Sequence, residues 1–168
     1  MTAQQTFWRR RSLPAAGIGF ALALVVASDR PTLALVNESP SLPRGLYLLS
    51  GADVGRGSIV AIAQPEAVRP YLERLGMPTD VLLIKRVAAV SGDRVCSDGR
   101  TVSTPGRRVQ LVARDGEGIN LPAWNQCRTL ADDELFLLGD TPGSFDSRYF
   151  GPVLRGEIKG VYREVLTW

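Results

Sequence analysis

The chain has no histidine anywhere in its 168 residues. That absence removes every His-based catalytic triad, the paired-histidine zinc helices and the Cys/His zinc modules, so any chemistry must run without imidazole. Lysine is almost missing as well: Lys85 and Lys159 are the only lysines among twenty basic residues. Arginine does not deprotonate in a folded protein, so those two amines alone can serve as amine bases. Internal repeats, coiled-coil heptads and low-complexity tracts are absent. With 45% hydrophobic and 22% charged residues, the composition excludes a disordered, collagen-like or polytopic membrane chain. The length suits one domain with a core, plus a tail or an anchor.

The net charge of +3 is accounted for by Arg9, Arg10 and Arg11, the remainder being balanced. No basic stripe or RNP, helix-turn-helix or zinc-finger pattern accompanies it, so a nucleic-acid partner is not expected. Residues 12–28 follow as seventeen positions without a charge, about 25 Å as a helix. The arginines ahead of this run predict a cytoplasmic N-terminus with the rest of the chain exported, and Trp8 suits the interfacial belt. A cleavable signal peptide competes, with small residues at Val26, Ala27 and Ser28 near a cut site, as does a buried helix. The apolar run is longer than the usual signal-peptide core, which favours a retained anchor. The expected organisation is a cytoplasmic tail at 1–11, a transmembrane anchor at 12–28 and an exported domain at 29–168.

Beyond residue 31 the pattern is of short β-branched and leucine-rich runs between Gly, Pro, Asp and Ser turns. Strands are predicted over 45–49, 58–63, 81–90, 108–113, 134–138 and 160–166, with 51–57 as a glycine-rich turn. One stretch, 65–76, has Val68, Leu72 and Leu75 at helical spacing and predicts a short surface helix. Cys96 and Cys127 are the only cysteines; in an exported domain two cysteines most simply form one disulfide, the alternative being two separate buried thiols. Without a histidine base, neither reading makes them nucleophiles.

Three segments carry the chemistry. Lys85 lies in the apolar run 81–90, where burial would disfavour the ammonium; the competing reading is a strand lysine whose stem snorkels to solvent. A lysine base needs a hydroxyl nucleophile here, and Ser39 and Ser41 stand in the stiff, proline-containing segment 37–47. The segment 138–151 is dense in turn formers and hydroxyls: Asp146 and Arg148, two apart, would share a side of an extended chain and brace the loop, with Ser144 pointing elsewhere. Its bland reading is a β-turn with a surface ion pair.

Together the three segments resemble the type I signal peptidase family of Ser-Lys membrane proteases, most closely its conjugative-transfer branch, the TraF-type peptidases. The matching boxes are Ser41-Leu-Pro-Arg-Gly45, then Lys85-Arg-Val with Gly92-Asp93, then Gly139-Asp140 with Ser144-Phe-Asp-Ser-Arg-Tyr-Phe-Gly151. The resemblance implies a mostly antiparallel β domain of the signal-peptidase type with one short surface helix, behind one N-terminal transmembrane helix. It implies Ser41 as nucleophile, favoured over Ser39 by its spacing to Pro43 and Gly45, and unprotonated Lys85 as base. Ser39 takes the place of the hydroxyl that supports the oxyanion, Ser144 that of the residue orienting the lysine, and Asp146 with Arg148 that of the pair fixing the loop.

The resemblance also implies a bacterial inner-membrane protein with a periplasmic catalytic domain, no cofactor and no metal. The partner expected is an exported precursor, a conjugative pilin subunit of a type IV secretion system, with cyclisation of the product as one outcome. General signal peptidases have Met after the nucleophile and Asn where Thr141 and Gly143 stand, which points away from housekeeping preprotein processing. The rival from another class is a non-enzymatic anchored β subunit of an envelope complex.

Overall fold

The computed structural model describes residues 31–168. The expected tail and anchor lie outside the described residues, among which no helix is long and apolar enough to cross a membrane. The strands are β1 (Ala34–Asn37), β2 (Gly45–Ser50), β3 (Ile59–Ile62), β4 (Leu83–Ala89), β5 (Arg94–Ser97), β6 (Thr101–Thr104), β7 (Arg107–Gln110), β8 (Cys127–Thr129), β9 (Glu134–Leu138), β10 (Val153–Leu154) and β11 (Ile158–Thr167). Helix α1 (Arg69–Arg74) precedes β4, and the single turn α2 (Ser147–Phe150) follows β9. Seven strands form a curled sheet in the order β1-β2-β11-β3-β4-β9-β10, and four form a smaller sheet in the order β7-β6-β5-β8. All the pairings are antiparallel.

Central strand β3, Ile-Val-Ala-Ile, is buried at all four positions, because the curl of the sheet covers both of its faces. Its neighbour β4 alternates. Leu83 and Val87 join the layer formed with Leu72, Leu135 and Leu137, whereas Ile84 packs on the other side against Leu42, Tyr47 and Tyr162. Each fully buried aliphatic side chain contributes about 1.5–3 kcal/mol. The smaller sheet closes on Val95, Val102, Trp124 and Phe136. Across its β5–β8 register Cys96 faces Cys127, and the two are joined; closing a loop of that span contributes about 4 kcal/mol in the chain-entropy model.

The helix expected at 65–76 forms as a 3-10 turn, Glu66–Val68, running into α1, with Pro70 in the first α turn where its missing N–H is not needed. Val68 and Leu72 are buried but Leu75 is exposed, so only two of the three periodic positions pack. Gly76, at φ 74°, ends it. The chain at 146–148 departs from the extended form expected of it. Asp146 caps α2 by accepting the backbone N–H of Arg148, so the pair is a helix cap and its first turn, and both side chains are buried rather than on the surface.

Candidate active site

The turn between β1 and β2 is built around Asn37, which is 4% exposed. Its side-chain amide lies within donor distance of the carbonyls of Ser39, Leu42 and Pro43, at 2.9, 3.1 and 3.0 Å, and its Oδ1 accepts the Ser39 N–H at 3.1 Å. Asn-x-Ser favours such a side-chain-to-backbone turn. The Tyr47 hydroxyl adds a 2.6 Å bond to the Pro43 carbonyl. Gly45 ends the turn where β2 meets both β1 and β11, and a Cβ there would overlap the Leu166 carbonyl. The result is a rigid loop that presents Ser39 and Ser41 to the interior. The Ser39 hydroxyl donates to Ser41 Oγ at 3.0 Å and accepts the Ser41 N–H at 3.2 Å.

Lys85 shares a face of β4 with Leu83 and Val87, since strand side chains alternate, and is 4% exposed. Its Nζ donates to Ser41 Oγ and to the Ile84 carbonyl, each at 3.0 Å. Burial pulls this amine down from 10.5 to about 8; the Asp146 carboxylate opposes that shift and the Arg148 guanidinium reinforces it. An amine that loses its proton near neutrality, touching a hydroxyl, can accept that hydroxyl's proton.

Behind the pair, Asp146 and Arg148 form a buried ion pair, Nε to Oδ1 at 2.8 Å. Asp146 Oδ2 also accepts the Gly139 N–H at 2.8 Å. The Arg148 guanidinium donates to the carbonyls of Gln110, Pro142 and Ser144, at 2.8, 2.8 and 2.6 Å. Every polar atom of this buried pair is thereby used, which such a pair requires to offset its desolvation. Asp140 then donates its backbone N–H to the Ser41 carbonyl at 2.6 Å, and its carboxylate is held by Arg86 at 3.1 and 2.9 Å.

All six polar residues singled out from the sequence are therefore in one neighbourhood, with one detail unlike the expectation. The Ser144 hydroxyl is buried and lines the same groove, but it makes no hydrogen bond to Lys85 or to any other described group. The sequence reading missed Asn37, whose signal was the Asn-x-Ser turn pattern. It placed Arg86, Gly139 and Asp140 in the matching boxes but gave them no role, and the structure supplies one for each. Among the described residues no group of His, Cys, Asp or Glu is arranged to hold a metal.

A groove of about 700 Å³ opens beside Ser41 and Lys85, walled by β1 on one side and the approach to β4 on the other, with Leu72, Met77 and Phe145 beneath. In β4, residues 83–85 pair only with β3, because β9 joins the strand from Arg86 onward. That leaves a free strand edge next to the groove.

A rigid serine loop thus faces a buried strand lysine, and comparison with known proteins places the chain. Residues 6–168 match the family described as signal peptidase, peptidase S26, and the chain belongs to that family. Its relatives include plasmid transfer protein TraF of Escherichia coli, 36% identical over 175 residues that cover 96% of this chain and 98% of the relative. Another is a probable conjugal transfer protein TraF of Sinorhizobium fredii, 35% identical over 146 residues, 79% of this chain and 77% of the relative. Among solved structures, signal peptidase I of Enterococcus faecalis is 22% identical with a TM-score of 0.39, covering 67% of this chain and 98% of its own.

Proposed function

We propose that this protein is a membrane-anchored serine endopeptidase that matures an exported precursor, with a conjugative pilin subunit as its substrate. The observation that carries the reading is the 3.0 Å contact between Lys85 Nζ and Ser41 Oγ, made by an amine whose proton is held only to about 8. The names of the relatives, plasmid and conjugal transfer proteins, support the choice of precursor. The substrate binds as an extended chain in the groove, pairing with the free edge of β4 as an added strand.

Unprotonated Lys85 takes the Ser41 proton as Oγ attacks the scissile carbonyl. The oxyanion that forms is met by the Ser41 N–H and the Ser39 hydroxyl, which exchange their present bonds with each other for bonds to it. Collapse expels the amine, which receives the proton back from Lys85, and leaves an acyl ester on Ser41. Water then hydrolyses the ester, or an amine of the substrate intercepts it and the product is cyclic. A neutral amine has one lone pair and two N–H groups. The Ser41 hydroxyl takes the lone pair and the Ile84 carbonyl one N–H; the Ser144 hydroxyl, which lines the same groove and has no partner among the described residues, becomes the acceptor for the other when a small shift brings it to the amine. Arg148 and Asp146 are positioning residues that hold the loop carrying Ser144. The body at 29–168 is periplasmic in this reading, with 12–28 retained as the anchor.

The test is the intact mass of a pilin precursor co-expressed in membranes with the wild-type chain or with Ser41→Ala. Loss of a segment with the wild type alone is the expected result, and a product lighter by one further water marks cyclisation. Equal processing by both proteins would remove Ser41 from the role of nucleophile.

A further inference from the structure

The carboxylates around the site fall into two groups. Asp146 is bound to Arg148, and Asp140 lies between Arg86 and Arg107. Glu38 and Asp80, by contrast, are exposed, line the groove from its opposite walls, and form no ion pair among the described residues. Among the described residues the one other charged side chain lining the groove is Lys85, which is buried and engaged with Ser41. An apolar floor thus carries two uncompensated negative charges at its rim.

Both charges lie close to the reacting centre along the chain. Glu38 is three residues from Ser41, and Asp80, five residues before Lys85, stands at most about 18 Å from it along the backbone. An extended polypeptide advances about 3.3 Å per residue, so each carboxylate is within reach of the first five or so substrate residues in the groove. We infer, resting on the peptidase reading above, that the groove selects polypeptides carrying Lys or Arg within about five residues of the scissile bond, on the side that occupies the groove. The substrate segment is then a mixed one, with small apolar side chains on the floor and a basic side chain at the rim. Asp140, which does not line the groove, is already paired with Arg86 and Arg107.

The test uses the full Ser41→Ala chain in detergent and fluorescein-labelled alanine- and valine-rich peptides that carry either two lysines or two glutamates. Anisotropy is expected to show the lysine peptide binding roughly 3- to 10-fold more tightly at about 50 mM salt, with the difference lost near 500 mM. In Glu38→Gln/Asp80→Asn the preference should disappear, and in Glu38→Lys/Asp80→Lys it should reverse; both sites are exposed, so the melting profile should hold. Equal binding of the two peptides, no saturable binding of either, or an unchanged preference in the variants would overturn the inference. Incubating the lysine peptide with wild-type chain separates the two readings. Selective binding without cleavage would keep the charged groove and sink the peptidase, and cleavage without charge preference would do the reverse.

Discussion

Gly139 and Ser144 stand so close that a Cβ at 139 would overlap the Ser144 hydroxyl and press on the Ser41 carbonyl. The end of β9 can approach the serine loop only because position 139 has no side chain, and the Asp140 N–H completes the contact. Gly139→Ala should therefore displace Ser41 from Lys85 and lower precursor processing by about 100-fold or more, since small misplacements of reacting groups are costly. Densitometry of processed precursor in membranes measures it; a variant with near wild-type processing would show that the loop tolerates the shift.

Activity should follow the protonation of Lys85. With its amine at about 8, the unprotonated fraction rises roughly five-fold from pH 7 to pH 8 and levels off above about pH 9. A kcat/KM profile that rises and then flattens in this window is expected. Lys85→Arg keeps the positive charge but cannot give up its proton, so it should be inactive at every pH tested. A flat profile, or an active arginine variant, would remove Lys85 as the base.

The same burial makes Lys85 a cost to folding. Below about pH 8 the amine is protonated in both folded and unfolded chains, and the buried charge destabilises the folded one. Between about 8 and 10.5 the folded chain releases its proton first, so the stability of the wild type rises with pH. Lys85→Met should be about 1–3 kcal/mol more stable than wild type at neutral pH, with the gap narrowing towards pH 10. Thermal or urea unfolding at both pH values reads it. A constant gap would mean that the two proteins differ by packing alone.

Asn37 is the positioning residue of the serine loop. Asn37→Ala takes the amide donor from the carbonyls of Ser39, Leu42 and Pro43, of which Pro43 alone keeps a second side-chain donor, the Tyr47 hydroxyl, and should cost about 1–3 kcal/mol of stability. Its larger effect should be on kcat, because the geometry of Ser39 and Ser41 relaxes, with a smaller change in KM from its place in the groove wall. Asn37→Asp, which retains the acceptor but loses the amide donors, should not restore kcat. Stability loss with kcat intact would reduce Asn37 to a structural turn residue.

Strand β9 forms at the predicted residues, and β4 loses only its ends, because both are long apolar runs that any burial will order. Strands β1, β5, β6, β8 and β10 were not legible. They span two to four residues, and in β5 and β6 the buried apolar side chains are single valines, Val95 and Val102. Such segments become strands only when a partner supplies the hydrogen bonds, as Cys127–Thr129 does for Arg94–Cys96. The turn α2 escaped for a related reason: an aspartate two residues before an arginine suits an extended pair and a helix cap equally well. The cap wins because Asp146 also receives the Gly139 N–H from β9.

Composition narrowed the candidate site residues, and the roles given to them rested on the family resemblance. Lacking histidine, the chain has only an amine to use as its base, and only Lys85 of the two lysines sits in an apolar run. The serines of the 37–47 segment were the matching hydroxyls. What tertiary structure decided is which of those serines the amine touches and what proton affinity it has there. Strand alternation puts Lys85 on the Leu83 and Val87 face whatever else happens. The group lying over that face comes from a loop 44 residues earlier, brought in by the curl of a sheet whose strands pair far out of chain order. Desolvation is likewise a property of everything packed around the amine, so no local pattern contains it.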